Sequence, residues 1–249
     1  MFETQPDWRF VCGLGFHEES KVKFFFTLVD RSGINFTSSV LVNSYSALTL
    51  GHILFASFFA SSETIGCDLT VILEPLTNQV MKIAVVDTVN NIDDEFEIIK
   101  EIHWSLHLYS HETCIFIVKS KKQQKYYILK DSWILASHPI SKIDQLTNIC
   151  NTLTSNDLDD KLEFKHTYPE FYMGQDLGDC TDICRGAILF KPPGRVHRHI
   201  VIGLIGDPIT SFRSKKEFVK VMLDIVQCEF SSLSSHLQPI DPLYQFSNS

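Results

Sequence analysis

An α+β fold, built on a mainly antiparallel sheet with packed helices, follows from three features of the sequence. Runs of β-branched and aromatic residues recur at hairpin spacing between 68 and 133. Helical spacing of apolar residues appears at 138–153 and again at 214–230. An apolar strand followed by a Gly-Asp-Pro turn, at 198–212, separates those two helices. The order strands, helix, strand, helix is that of an α+β plan.

KVKFFFTLVDRSGI (21–34) is predicted as a strand ending in a turn whose chemistry comes from Asp30, Ser32 and Gly33. The proline-free segment Ser38–Ser61, rich in Leu, Phe, Ser and Ala, is predicted as a buried helix. DLTVILEP (68–75) and VMKIAVVDTV (80–89), parted by LTNQ, form a hairpin, and EFEIIKEIHW (95–104) is a further strand. TCIFIVKS (113–120) and KYYILKDSW (125–133) form a second hairpin around KKQQ, with Lys130 at its far end. Ser141 is placed to cap a helix carrying Ile143, Leu146, Ile149 and Cys150, and TSNDLDDK (154–161) is a polar loop. Ser214, with Glu217 three residues on, makes a capping box for a helix striped by Phe218, Val221, Met222, Ile225 and Val226. The last residues, with two prolines and no periodicity, are read as a loose tail.

The chain has 249 residues, 44% of them hydrophobic and 21% charged, the composition of a globular protein able to bury a sizeable core. A net charge of −8 argues against a general nucleic-acid binder, which needs a basic surface for phosphates. Seven scattered cysteines, an odd number, fit a reducing compartment better than a disulfide framework. MFETQPDWRF does not read as a signal peptide, and the apolar stretch 48–60 is too short to span a bilayer; a soluble intracellular protein, cytoplasmic or nuclear, is expected. Cys180 and Cys184 have no second ligand pair at zinc spacing, so no metal site is expected. No P-loop or Rossmann glycine pattern is present, and the thiols and histidines show no nucleophile signature.

Four stretches together resemble the fungal-type protein kinase family: LVDRSGI (28–34), ETIGCDLTVI (63–72), YYILKDSW (126–133) and VHRHIVIGLIGDPITSFRSKKEFVKVMLDIV (196–226). The resemblance implies a protein-kinase-like fold in which 1–104 is the family's accessory region and 105–230 a small lobe with its hinge and first large-lobe helix, while 231–249 is the tail. It implies ATP with magnesium as cofactors and phosphorylation of protein serine and threonine as the family activity. Lys130 would take the place of the lysine that holds the nucleotide's α- and β-phosphates. Asp144, the sole carboxylate in ISKIDQLTNI, would be its partner acid. Ile205, Gly206, Asp207 and Pro208 would lie beside the adenine, and Ser110, His111, Glu112 and Thr113 would stand where the phosphate-covering loop belongs.

The pattern also has departures. LYSHETC (108–114) holds no glycine, so the usual close backbone approach to phosphate is obstructed. Asp144 is one methylene shorter than the customary glutamate. HRH at 197–199 and DLG at 176–178 look like catalytic and magnesium-binding tripeptides, yet both stand out of order and are assigned no chemistry. No catalytic Arg-Asp loop and no Asp-Phe-Gly element follows Phe230. The expectation is therefore a truncated kinase domain without phosphotransferase activity. Its alternative is a pseudokinase-like interaction module without nucleotide binding, meeting a protein partner on the surface where a large lobe would dock. A third reading, an unrelated α+β protein, would have Lys130 pointing at solvent, away from 204–212.

Overall fold

A computed structural model describes residues 8–18, 21–105, 113–137, 141–154, 170–185, 192–203, 206 and 211–223. Among them the α+β architecture with a mainly antiparallel sheet is borne out. Eleven strands and three named helices follow in the order β1 (Phe10–Glu18), β2 (Val22–Asp30), β3 (Gly33–Phe36), β4 (Val40–Leu41), α1 (Ser44–Phe59), β5 (Val71–Leu73), β6 (Val80–Asp87), β7 (Ile92–Trp104), β8 (Thr113–Ser120), β9 (Tyr126–Leu135), α2 (Lys142–Thr154), β10 (Phe171–Cys180), α3 (Thr181–Arg185) and β11 (Arg195–Ile202). A further helical segment spans 215–223.

The strands form two sheets. β1, β2 and β3 lie side by side with β4 paired to β2, and seven strands run β10-β11-β9-β8-β7-β6-β5, each pair antiparallel. The larger sheet thus takes strands from both sides of residue 104, where accessory region and lobe were expected to meet. It curls until β10 reaches β6, where Gln175 Oε1 accepts the Val86 amide at 2.7 Å and Asp87 Oδ2 that of Gly174 at 3.4 Å. Side chains alternate across each strand. Phe116, Leu129, Val201 and Met173 therefore form one cross-strand row inside the curl, all fully or nearly fully buried. With Val85, Phe96 and Val118 they make the core.

Local chemistry explains the turns. Asp30 Oδ1 accepts the Ser32 amide at 2.7 Å, closing the β2–β3 hairpin. Asn78 and Asn91 take the left-handed conformations, with φ of 55° and 53°, that the two hairpin turns beside β6 require. Ser141 caps α2, its Oγ 3.2 Å from the Ile143 amide. Ser214 Oγ accepts the Glu217 amide at 3.1 Å, but the Glu217 carboxylate takes the amide of Arg213, one residue outside a reciprocal capping box.

Two expectations are corrected. The segment 38–61 is helical over α1 and capped by Asn43, whose Oδ1 accepts the amides of Tyr45 and Ser46. It is not buried: Tyr45 and Phe58 are each 83% exposed and Ser46 is the helix's one buried residue. Its apolar side chains ring the helix instead of forming one stripe, and among the described residues only Ser46 of α1 is buried. Lys130, expected at the far end of its hairpin, stands mid-strand, because β9 continues through Leu135 and is paired on both edges. Among the described residues no helix is long and apolar enough to cross a membrane.

Candidate functional site

Of the residues singled out from the sequence, Ser110, His111, Glu112, Ile205, Asp207 and Pro208 lie outside the described residues, as does the tail 231–249. Thr113 opens β8, and Gly206 is exposed. Lys130 and Asp144 can be placed in detail.

Lys130 belongs to the outer face of the curled sheet. Ile115, Lys130, Ile200 and Gly174 form one row across β8, β9, β11 and β10. Helix α2 lies over the β10 end of that row, Ile143 resting on Gly174 so closely that an added Cβ would meet Cγ1 at 2.8 Å. The ammonium group is half-buried, and its pKa is lowered by burial first and by the charge of Lys142 second. No ion pair joins it to Asp144. Ile143 is buried against the sheet, and Asp144, one residue on and about 100° around the helix, is exposed. On the Lys130 face, β8, β9 and β11 present Thr, Ile, Lys, Tyr, Ser, Val and Arg and no carboxylate. Asp176 on β10 is bound by Arg198, which grips both its oxygens, Nη2 to Oδ2 at 2.8 Å. The DLG aspartate therefore serves as the cross-strand partner of a buried arginine. Among the described residues, β8, β9 and β11 thus place positive charge on this face without a carboxylate of their own.

The inner face changes character within one step of β9. Leu129 is fully buried in the apolar core, and two residues on, Asp131 enters a polar centre. Asp131 Oδ1 lies 2.6 Å from His197 Nε2 and 3.7 Å from His199 Nε2. Trp133 stacks on the His197 ring, centroids 4.5 Å apart and planes 8° from parallel, and His199 meets His197 edge-on at 5.1 Å. The β9–β11 register accounts for this, since Trp133 pairs with His197 and Asp131 with His199. On the other side of His197, Nδ1 is 3.5 Å from Asp68 Oδ2. Asp68 is held in place by its second oxygen, which accepts the amide and hydroxyl of Thr70 at 2.8 and 2.7 Å. Burial alone would raise the Asp131 pKa, but attraction to His197 and its hydrogen bond, followed by His199 and Arg31, holds it down to about 2. Burial lowers the pKa of His199, keeping that ring neutral.

The N-terminal sheet docks beside this centre. The Arg185 guanidinium binds both oxygens of Asp30, Nε to Oδ2 at 2.7 Å, with both side chains 1% exposed. Ser32 Oγ lies 2.7 Å from Thr181 Oγ1, which in turn accepts the Arg195 amide at 2.9 Å. Gly66, at φ +106° and against the Phe10 carbonyl, turns the chain so that Trp8 bridges to Cys67 and Asp68 enters the interior.

The four stretches that carried the family resemblance thus converge. LVDRSGI supplies Asp30, Arg31 and Ser32, ETIGCDLTVI supplies Asp68, YYILKDSW supplies Asp131 and Trp133, and VHRH supplies His197, Arg198 and His199. Reading HRH only as an out-of-order catalytic tripeptide missed this centre. The β9–β11 pairing, which no spacing along the chain announces, aligns its two histidines with Asp131 and Trp133.

A family model described as fungal protein kinase matches residues 1–237. No curated protein and no solved structure matches the chain.

Proposed function

The chain belongs to the fungal protein kinase family, and we propose on that basis that its larger sheet with α2 is a kinase-type small lobe that binds a nucleotide through Lys130. The observation that carries the reading is the Lys130 environment: a half-buried ammonium, its pKa lowered, with another cation beside it and no carboxylate on its face of β8, β9 or β11. Such a group is costly until an anion arrives. Strand order supports the same reading. β7, β8 and β9 are consecutive antiparallel neighbours, the lysine is on the third, and a helix follows, the sequence of parts in a kinase small lobe. Along β9, Lys130 is two residues from Ser132, the partner of Thr113, and two from Ile128, the partner of Ile202. At ~3.3 Å per residue it stands ~7 Å from each of those levels, between the start of β8 and the end of β11. In this reading the lysine is the phosphate-holding group, Ser110, His111, Glu112 and Thr113 stand where the phosphate loop belongs without its glycine, and 204–212 is the hinge.

Phosphoryl transfer also needs a base and magnesium carboxylates, and among the described residues β8, β9 and β11 present none on the Lys130 face. Nucleotide binding is therefore the function proposed for this unit. The test is calorimetric titration with ATP, with and without Mg²⁺, on the wild type and on Lys130→Met. Saturable binding that Lys130→Met weakens at least tenfold supports the reading, and the substitution is expected to leave the unliganded protein within about 2–4 °C of the wild-type Tm, since it removes an uncompensated cation. A folded wild type that binds no nucleotide sinks it and leaves the interaction-module reading in its place.

A further inference from the structure

We propose that Asp68, His197 and His199 form a buried metal site for a divalent transition ion, Zn²⁺ by its ligand chemistry, which pins the segment before β5 to strands β9 and β11. One donor atom from each of the three residues lies within 4.8 Å of the other two, and all three residues are buried. Each donor has its own reason to point to a cation.

His199 is fully buried, and neither ring nitrogen has a hydrogen-bond partner among the described residues. A neutral imidazole in that position forfeits both a donor and an acceptor, which burial makes costly. Asp68 Oδ2 is likewise buried without a hydrogen-bond partner, whereas Oδ1 is fixed by Thr70. The third donor is His197. With Nε2 donating to Asp131, its Nδ1 lone pair faces the Asp68 carboxylate oxygen at 3.5 Å. Two lone pairs facing each other repel unless something positive lies between them. The spacing is longer than an N–H···O hydrogen bond, at about 2.7–3.2 Å. It is close to the roughly 3.3 Å between neighbouring donors of a tetrahedral ion bound at about 2.0–2.1 Å.

The surroundings match those of metal-bound histidines. A ligating imidazole donates its other N–H to a carboxylate, which fixes the tautomer, and Asp131 performs that service for His197. The Trp133 stack fixes the ring plane. Two imidazoles and one carboxylate are ligands that zinc favours. The longest donor spacing asks His199 to move by about 1.5 Å as the ion enters. The competing account, an imidazolium at His197 between two aspartates, would satisfy that ring but leave both nitrogens of His199 idle.

The experiment uses the full chain without a polyhistidine tag, stripped with chelator and titrated with Co²⁺, whose visible absorption reports tetrahedral coordination. The expected result is one Co²⁺ per chain, displaced by Zn²⁺, without a thiolate charge-transfer band and with a rise in Tm. Asp68→Asn and His199→Gln are each expected to weaken binding at least tenfold, Asp131→Asn by about 10–100-fold through loss of the supporting carboxylate, and His103→Gln, on β7, not at all. A folded wild type that takes up no Co²⁺ overturns the proposal without reference to any variant. So does uptake that shows a thiolate band, or uptake that survives both Asp68→Asn and His199→Gln.

Discussion

His197 is gripped by a carboxylate at one nitrogen, faced by a second carboxylate at the other, and covered by an indole. Asp131 is the group in this arrangement whose charge the fold most clearly favours, with a pKa of about 2 against an ordinary 3.8. Because the folded value is the lower one, the resulting stability is fully present above pH 3.8 and is lost as pH falls through about 2. The difference is worth about 2 kcal/mol. His199 acts on a higher pH range: its lowered pKa means the unfolded chain takes up a proton first, so stability falls as pH drops below 6.5. Urea unfolding of metal-free protein between pH 5 and 2 separates the two. Asp131→Asn is expected to flatten the loss below pH 4 by about 2 kcal/mol while keeping the shallower loss that begins near 6.5. Parallel wild-type and variant curves below pH 4 would show that the His197 contact does not hold the carboxylate ionised.

At the scale of elements, α2 is positioned by one close approach, Ile143 on Gly174, two strands along the same row from Lys130. At ~4.8 Å per strand the contact lies ~10 Å from the lysine's place in the sheet. Gly174→Ala is expected to cost about 1–3 kcal/mol by overpacking and to push the helix outward. Ile143→Ala alone costs about 2–5 kcal/mol through its cavity. Combined, the two should cost less than their sum, because the alanine methyl occupies space that Ile143 vacates. A strictly additive double variant, measured by urea unfolding, would mean that α2 is seated elsewhere. The sequence made α2 and most strands of the larger sheet legible, because alternation and a serine cap are local signals that the packing obeys. β10 went unread, since FYMGQDLGDC mixes glycine, acids and a shifted register with no clean alternation. Helix α1 was legible as a helix and misread as buried, since apolarity reports what a segment could bury and not whether a surface stands opposite. The site divided in the same way. The Lys-Asp-Ser-Trp motif pointed to Lys130, while the centre formed by Asp68, Asp131, His197 and His199 depends on pairings between distant segments that no spacing along the chain reveals.

At the scale of the whole molecule, the two sheets are joined through the turn at 30–33. Asp30 binds Arg185 in the short helix α3, and Ser32 bonds Thr181 at that helix's start, which also accepts the amide that opens β11. A buried ion pair contributes little net stability compared with apolar residues of the same shape, but breaking it from one side strands a charge in the interior. Arg185→Met is therefore expected to cost about 3–5 kcal/mol, leaving the Asp30 carboxylate buried with the Ser32 amide as its remaining partner in this turn. Asp30→Asn in the same chain removes the stranded charge while keeping an acceptor for Ser32, and should recover most of that loss. The two variants also separate a clamp from a local defect. A clamp that orders the N-terminal sheet on the larger one will, when broken, admit protease at the β2–β3 turn before β8 and β9 unfold, and the double variant will restore protection there. Should Arg185→Met lose stability in one cooperative step, with no early cleavage near residue 31, the turn merely rests against α3 and is not the clamp between the sheets.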